Sequence, residues 1–394
     1  MLYGWYLRIP EYRSRVQKLV QSAFAGKPKD IISQSVAKAL YGEVSPYSAT
    51  RLERFAACAF AHFLQYGMKL TERVEYEFKP MDMGNVMHEA LESFAEEVRK
   101  RGMKWTELTE QERNEIADRC LDNIVADYGN TVLKSSARNE YMIERTRRIL
   151  RRTVWALQKQ LEQGEFQPEG FEVTFGGGRI DRVDIMEDQN KVYVKVIDYK
   201  TGNTSFDLVY LYHGLQLQLM IYLDGALRVE QKKYPDKEII PAGVFYYNIK
   251  DPMIQEKIDA DVEAVSAGLM KELKMNGLVQ ADPELVYRMD SSLGSIPVAF
   301  NKDGSFRKNS SVADRTQFAV LGRYVRTKIE KIRSSILEGD AEVSPYELGK
   351  KNACTYCPYM TVCGFDRRLS GYEFRRLKNF SDEELWKAFD REAE

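Results

Sequence analysis

The chain is 394 residues long, with 30% charged residues, 11% aromatic residues and a formal net charge of −1 at pH 7. This length favours two or three structural units around one large core, and the near-zero net charge excludes a general attraction to polyanions, so contact with nucleic acid requires local basic patches. The sequence has no run of about 18 apolar residues, and its N-terminus lacks the basic segment followed by an apolar segment that marks a signal peptide. The five cysteines do not indicate a disulfide framework. We therefore expect a cytoplasmic protein.

The N-terminal third of the chain is predicted to be mainly helical. Residues 1–44 have a helix-like pattern of mixed charge, and we interpret them as the end of an upstream region that is missing here. Residues 45–48 are predicted to cap a helix whose apolar face continues through Phe55 and Cys58. Residues 73–78 have a strand-like pattern. Further helices are predicted from apolar residues at helical spacing over residues 84–101, 110–128 and 138–163.

A cluster of arginines lies on the helix predicted over residues 138–163. Its members are Arg145, Arg147, Arg148, Arg151 and Arg152. An ordinary solvated basic face accounts for such a cluster, and a surface that follows a phosphate backbone is the alternative. In the second interpretation, Arg145, Arg148 and Arg152 are the candidate DNA-binding residues.

The central block changes to the short period of β-strands. Residues 172–175, 179–185 and 192–197 are rich in β-branched and apolar residues and are separated by glycines and polar turn residues, which predicts a three-stranded meander. After it we expect a helix at 215–227, a strand at 242–249, a helix at 254–275, an irregular segment at 283–312 with a turn at 303–304, and a helix at 316–337.

Two aspartates and a lysine fall on two strands that are predicted to form a hairpin. Side chains two residues apart lie on the same face of a strand, so Asp198 and Lys200 point the same way. Asp181, on the preceding strand, is predicted to face the metal. Asp184 falls on the other face of an unbroken strand and is a spare acid, with two open alternatives: it supports the site from outside the metal ligands, or it replaces Asp181. Two carboxylates suit Mg²⁺, whose bound water attacks phosphate, and a lysine stabilises the developing charge. An ordinary polar turn before residues 201–202 is the alternative.

Three further polar residues are candidates for the same pocket. His88 is one of only three histidines and lies near the start of a predicted helix, where a satisfied polar residue is the alternative. Gln218 and Tyr222 are four residues apart and therefore share a helix face. A core position is the alternative for Tyr222, and it explains Gln218 less well.

The cysteines form a second constellation. Cys354, Cys357 and Cys363 are clustered, and Cys58 lies far upstream. Three clustered thiols and a distant fourth suit a four-cysteine site for zinc or for a [4Fe-4S] cluster, and the spacing does not choose between them. Cys120 lies among apolar residues of a predicted helix, so we interpret it as a buried free thiol.

Four segments, taken in order, resemble the signatures of the RecB-like nucleases of the PD-(D/E)XK superfamily. They are residues 84–92 around His88, 178–181, 196–202 and 218–222. The resemblance implies an α/β fold with a central mixed sheet flanked by helices. It also implies roles for six residues. His88, Asp181 and Asp198 would bind Mg²⁺ or Mn²⁺, and Lys200 would be the catalytic lysine. Gln218 and Tyr222 would support the site and contact DNA.

Residues 48–60, which include Cys58, are similar to the segment before the nuclease motifs in the AddB chain of AddAB-type helicase-nucleases, although Ala59 stands where that family has proline. In that family one upstream and three downstream cysteines bind a [4Fe-4S] cluster. This implies a cluster here, bound by Cys58, Cys354, Cys357 and Cys363, that staples the N- and C-terminal segments of the nuclease core together.

The same resemblance implies a Mg²⁺-dependent DNA exonuclease that digests a single strand fed from a duplex end, in double-strand break repair and recombination. The AddA-type chain of the helicase-nuclease is the implied partner. We accordingly divide the chain into an N-terminal segment (1–44), a nuclease domain (45–370) and a helical tail (371–394). The chain has no phosphate-binding loop of the GxxxxGK[ST] type, so we expect that it does not power unwinding by itself.

Two other interpretations stay open. One is a DNA-end-binding scaffold with a vestigial nuclease site and a structural four-cysteine metal site. The complete set of Asp181, Asp198 and Lys200 argues against this interpretation. The other is a four-cysteine zinc protein, which predicts a colourless preparation.

Overall fold

The structure is a computed structural model, and it describes residues 2–23, 31–42, 48–71, 80–127, 136–176, 178–255 and 261–393. The strand predicted over residues 73–78 lies outside these ranges. None of the described helices is long and apolar enough to cross a membrane.

A six-stranded mixed sheet forms the centre of the molecule. Its strands are neighbours in chain order, namely β1 (Gln167–Phe175), β2 (Gly178–Asp188), β3 (Lys191–Lys200), β4 (Glu238–Asn248), β5 (Asn276–Gln280) and β6 (Val312–Ala313). The first three are antiparallel, β3 and β4 are parallel, β4 and β5 are antiparallel, and β5 and β6 are parallel. The predicted meander and hairpin are therefore confirmed. A small second sheet has the order β8-β7-β9 and contains β7 (Tyr346–Leu348), β8 (Lys351–Asn352) and β9 (Arg375–Arg376).

Helices precede, interrupt and follow the strands. The α-helices of the described residues are α1 (Leu2–Tyr6), α2 (Pro10–Ala23), α3 (Gln34–Tyr41), α4 (Ala49–Ala57), α5 (Ala59–His62), α6 (Pro80–Lys100), α7 (Glu110–Asp127), α8 (Ala137–Glu162), α9 (Leu208–Tyr212), α10 (Gln218–Lys233), α11 (Val262–Glu272), α12 (Pro283–Met289), α13 (Arg315–Glu338), α14 (Met360–Cys363) and α15 (Asp382–Ala393). The helices predicted over residues 84–101, 110–128, 138–163, 215–227 and 316–337 correspond to α6, α7, α8, α10 and α13, with ends shifted by a few residues.

Helices cover both faces of the six-stranded sheet and create two cores. On one face, the first core joins α6, α7 and α8 to side chains that include Ile197 and Tyr199 of β3. On the other face, the second core joins α10 and α13 to Val194 and Val196 of the same strand. Because side chains alternate between the faces of a strand, a nearly continuous apolar run such as β3 serves two cores. The expected α/β architecture is confirmed.

Segments from both ends of the chain pack against α13. Tyr41 of α3 and Leu385 and Phe389 of α15 are buried in the second core. The helix α13 ends at Gly339, which has a left-handed φ of 90° and whose missing Cβ would lie 2.1 Å from the carbonyl oxygen of Ile32. Only glycine fits so close an approach of two backbones. This contact holds the N-terminal segment beside the end of α13.

The helix predicted to be capped by residues 45–48 is broken at Cys58. This residue is extended, with a φ of −166° and a ψ of 117°, and it separates α4 from α5. The apolar pattern continues across the break and does not predict it. The backbone N–H of Phe60 bonds to the carbonyl oxygen of Glu342 at 3.0 Å, so a contact with the C-terminal part of the chain holds the break.

Two other predictions were wrong in part. The helix predicted over residues 254–275 is limited, where it is described, to α11, and it is followed by β5. Residues 283–312, predicted to be irregular, contain α12. In β5, a Cβ on Gly277 would lie 1.9 Å from the carbonyl oxygen of Val244. Close pairing with β4, rather than the local sequence pattern, therefore decides that β5 is a strand.

Candidate active site

The predicted acidic residues meet at one end of the six-stranded sheet. Asp181 lies near the start of β2 and Asp198 near the end of β3, and because these strands are antiparallel, both residues lie at the same end. The backbone N–H of Tyr199 donates a hydrogen bond of 2.7 Å to Asp181 Oδ2, which holds this carboxylate beside β3. Both aspartates are buried.

Asp198 and Lys200 form an ion pair on one face of β3. Lys200 Nζ lies 2.5 Å from Asp198 Oδ2. Tyr199, between them, belongs to the first core on the other face, as the alternation predicts. Burial and then the charge of Asp181 raise the pKa of Asp198 to about 7, although Lys200 lowers it. A negative charge on the buried Asp198 beside Asp181 is therefore costly unless a cation compensates it.

Two residues of α10 extend this ion pair into a chain of hydrogen bonds. Lys200 Nζ donates to Gln218 Oε1 at 2.8 Å, and Gln218 Nε2 donates to the hydroxyl oxygen of Tyr222 at 2.9 Å. Burial raises the pKa of Tyr222 to about 12, so its hydroxyl stays protonated near neutral pH. Gln218 and Tyr222, the two residues predicted to reach the site from a helix, therefore lie beside Lys200. Gln218 fixes the direction of the lysine ammonium group.

His88 brings α6 to the same site. Its Nδ1 lies 3.4 Å from Asp181 Oδ2 and 3.8 Å from Glu172 Oε1. Burial by itself lowers the pKa of His88, but the attraction of the nearby Asp181 and Glu172 carboxylates outweighs burial and raises the pKa to about 10. Across the described part of the chain, these three residues form the one group of His, Cys, Asp or Glu side chains whose ligand atoms all lie within 4.8 Å of one another.

Glu172 is absent from the sequence-based set of site residues. Its side chain is only 6% exposed and forms an ion pair with Arg179. Its backbone has a left-handed φ of 49°, which is uncommon for a residue other than glycine. The sequence offers one weak signal, a lone acid within a strand-like apolar pattern.

Glu53 is the second residue that the sequence patterns miss. This residue of α4 accepts the backbone N–H groups of Leu217 and Gln218, at 2.7 and 2.9 Å. Burial raises the pKa of Glu53 to about 7. Its partners lie far along the chain, so no local pattern reveals the contact.

Asp184 lies away from this site, on the other face of the sheet. Arg182 Nε donates to Asp184 Oδ1 at 2.6 Å, and Lys195 Nζ lies 3.1 Å from Asp184 Oδ2. Burial alone raises the pKa of Asp184, but the charges of Arg182 and Lys195 outweigh it and hold the pKa below its ordinary value. Asp184 is therefore part of a buried ionic cluster with Arg182 and Lys195, and it does not replace Asp181.

The arginines of α8 fall into two groups. Arg147 and Arg151 form ion pairs with acids of α7, which matches the interpretation as an ordinary basic face. Arg148 Nε donates to Asp251 Oδ2 at 2.7 Å, just beyond the end of β4. Because β3 and β4 are parallel and end together, Arg148 lies at the same end of the sheet as Lys200.

Arg145 and Arg152 share a helix face with Arg148, since the three are spaced by three and four residues. Arg145 is exposed, and the guanidinium of Arg152 lies 5.4 Å from the ring centroid of Trp155. Their role in DNA binding stays a prediction.

The four predicted cluster-binding cysteines come together. One small cavity is lined by Cys58, Cys354, Cys357 and Cys363. Burial raises the pKa of Cys354 to about 12, and the other three thiols contribute to the shift, as expected for neighbouring sulfur atoms. Cys120 is buried in the first core, away from this cavity, in agreement with its interpretation as a free thiol.

Comparison with known proteins gives one family and several relatives. A family model described as the PD-(D/E)XK nuclease superfamily matches residues 46–364, a range that contains every residue of both sites. A protein of Lachnoclostridium phytofermentans, the B chain of an ATP-dependent helicase/deoxyribonuclease, is 42% identical over 97% of this chain. Proteins of the same name from Thermoanaerobacter sp. (strain X514) and Clostridium acetobutylicum are both 34% identical, over 100% and 99% of this chain. The chain spans only 35–36% of the length of these relatives.

Proposed function

The chain belongs to the PD-(D/E)XK nuclease superfamily, and from this membership we propose that it is a metal-dependent deoxyribonuclease that hydrolyses phosphodiester bonds. The observation that carries the proposal is the convergence of Asp181, Asp198 and Lys200 on the adjacent strands β2 and β3. Metal-dependent phosphodiester hydrolysis needs ligands for a divalent cation and positive charge beside the phosphate, and these three residues supply both.

The residues present fit a hard divalent cation such as Mg²⁺ or Mn²⁺. Asp198 Oδ2 is buried and, within the described ranges, receives no hydrogen bond of good geometry, although Lys200 lies close to it. Oxygen ligands from carboxylates are those that Mg²⁺ prefers. We propose that His88, Asp181 and Asp198 hold the cation. When bound, the cation supplies an activated water molecule and neutralises charge on the phosphate.

Lys200 is the proposed catalytic lysine. Its ammonium group is held between Asp198 and Gln218, and its side chain is 27% exposed, so it stays accessible to a phosphate. A fixed positive charge there stabilises the negative charge that develops during hydrolysis. Gln218 and Tyr222 orient the lysine through their hydrogen bonds, and we propose that they also contact DNA.

We further propose that the chain is the nuclease portion of an AddB-type helicase-nuclease chain. The proposal is supported by the names of the relatives and by the third of their length that this chain spans. It implies an exonuclease that digests one strand fed from a duplex end, with an AddA-type chain as partner, in repair of double-strand breaks and in recombination. The proposed division of the chain stays an N-terminal segment (1–44), a nuclease domain (45–370) and a helical tail (371–394). We also propose a cytoplasmic location, because the cysteines are free thiols and a reducing cytoplasm keeps thiols free.

We propose a [4Fe-4S] cluster, rather than zinc, for the four cysteines. Four sulfur atoms around a single zinc ion at about 2.3 Å are separated from one another by about 3.8 Å. Within the described residues, no three of the cysteine sulfur atoms lie within 4.8 Å of one another. The wider spacing suits a polynuclear cluster, and the apolar side chains of Phe60, Tyr359 and Phe365 around the cavity shield such a group from water.

The experiment that tests the nuclease is digestion of end-labelled single-stranded DNA, with strands labelled at either end. We expect Mg²⁺-dependent loss of the labelled strand, abolished by EDTA and by Asp198→Asn. Glu187→Gln, an exposed acid at the far end of β2, is the control and should cleave normally. Wild type and Asp198→Asn that remove label equally would contradict the proposal. Binding without any cleavage would favour the scaffold interpretation.

A further inference from the structure

We infer that Glu172 is an additional ligand of the divalent cation, together with His88 and Asp181. The inference rests on the proposed metal-dependent function, because it concerns the same site. It adds a residue from β1, a strand that contributes none of the metal ligands expected from the sequence.

The geometry of three atoms supports this inference. His88 Nδ1 lies 3.4 Å from Asp181 Oδ2 and 3.8 Å from Glu172 Oε1, and all three ligand atoms fall within 4.8 Å of one another. Neighbouring ligands of an octahedral Mg²⁺ ion, each at about 2.0–2.1 Å, are about 2.9 Å apart. Small rotations of the side chains are enough to close the observed triangle around an ion.

The three atoms come from three different elements, namely α6, β1 and β2. Glu172 is held in place from outside the triangle by Arg179, which pairs with the second carboxylate oxygen and leaves Oε1 facing His88. Asp181 is held differently, because the backbone N–H of Tyr199 donates to Oδ2, the same oxygen that faces His88. Both carboxylates are therefore oriented before any ion arrives, which is the usual arrangement around metal ligands.

Asp181 is placed to serve both parts of the site. It faces the triangle with His88 and Glu172, and its charge acts on Asp198 across the neighbouring strand. Asp198 itself lies outside the triangle. The cation-binding region therefore extends from β3 across β2 to β1.

A purely structural role for Glu172 makes a different prediction. In that case the carboxylate serves only to pair with Arg179 and His88, and loss of either partner should have the same consequence. Metal binding, measured without DNA, separates the two roles because the loss of a ligand weakens it more than the loss of an ion pair that orients the ligand.

The test is Mn²⁺ binding to the full chain, followed by the EPR signal of free Mn²⁺ or by calorimetry. We expect Glu172→Gln, which is isosteric, to weaken Mn²⁺ binding by at least about tenfold. Arg179→Gln, which removes the ion pair and keeps the ligand, should lose less Mn²⁺ affinity than Glu172→Gln. Glu169→Gln, an exposed acid on the same strand, is the second control.

Each outcome decides the inference. Wild-type Mn²⁺ affinity in Glu172→Gln would overturn it, as would equal losses in Glu172→Gln and Arg179→Gln. Urea unfolding in EDTA shows whether each variant is folded, and Glu172→Asp replaces Glu172→Gln if the latter is not. The nuclease proposal is judged separately by cleavage, so a chain that binds Mn²⁺ through Glu172 and cuts nothing would reject that proposal alone.

Discussion

Glu53 accepts the backbone N–H of Gln218 at 2.9 Å, which ties α4 to the first turn of α10. The same carboxylate oxygen accepts the N–H of Leu217 at 2.7 Å. The first N–H groups of a helix have no partner within the helix, so a carboxyl oxygen that accepts them stabilises the start of the helix. Because Gln218 binds Lys200 Nζ, Glu53 also fixes the helix that directs the proposed catalytic lysine.

Glu53→Ala is expected to lower the free energy of unfolding by about 1–3 kcal/mol, because two buried N–H groups lose their acceptor. It should also slow DNA cleavage, since Gln218 is no longer held. Glu53→Gln keeps a carbonyl oxygen at the same place and should retain most of both properties. Urea unfolding and the cleavage rate measure the two effects. An alanine variant as stable and active as wild type would contradict the proposed contact.

The stability of the wild type should depend on pH through Glu53. Burial raises its folded-state pKa from an ordinary 4.5 to about 7. The unfolded chain therefore ionises first, so the stability that the neutral carboxyl contributes is complete below pH 4.5 and is lost as the pH rises to about 7. Glu53→Gln does not titrate and should gain stability relative to wild type over this range. Urea unfolding in EDTA at several pH values measures the difference, and a constant difference would contradict the prediction.

Asp184→Asn is expected to destabilise the fold by about 3–5 kcal/mol, because it leaves Arg182 and Lys195 as uncompensated buried charges. Glu187→Gln breaks an exposed ion pair on the same strand and should cost about 1 kcal/mol or less. Denaturant unfolding compares the two variants. Similar small losses in both would mean that the buried ionic cluster contributes little to stability.

Lys200→Ala should reduce DNA cleavage by about a hundred- to a thousandfold while Mn²⁺ binding persists, because the lysine stabilises developing charge and is not a proposed metal ligand. Lys191→Ala, at the exposed start of the same strand, is the control. Cleavage rates and Mn²⁺ titration measure the two properties. Loss of Mn²⁺ binding in Lys200→Ala would assign the lysine a structural role instead.

Cys357→Ser is expected to abolish the brown colour that the proposed cluster would give and to lower the thermal midpoint of anaerobically purified protein, because the proposed cluster would link Cys58 to the 354–363 segment. The acidic site stays chemically complete, although DNA binding should weaken. Cys120→Ala removes a buried thiol of the first core and should leave the colour unchanged. A colourless wild type, or a serine variant that melts like wild type, would reject the staple.

The sequence predicts those parts of the site that follow from local periodicity. Alternation along one strand places Asp198 and Lys200 on one face, and a spacing of four residues places Gln218 and Tyr222 on one side of a helix. The order of the motifs along the chain also indicates the family. These features depend on neighbours a few residues away, so the chain itself records them.

The tertiary structure alone decides the parts that depend on distant segments. Glu53 meets the start of α10, Glu172 meets His88, and the break at Cys58 is held by a backbone contact to Glu342. The first and the third contact are made to backbone groups, which require no particular side chain at the partner segment. The second joins two side chains that lie far apart in the sequence, so no local pattern records it. The sequence therefore determines which polar residues are available and on which face they lie. The packing of α4 and α6 against the sheet and the pairing of β1 with β2 determine which of these residues share a site.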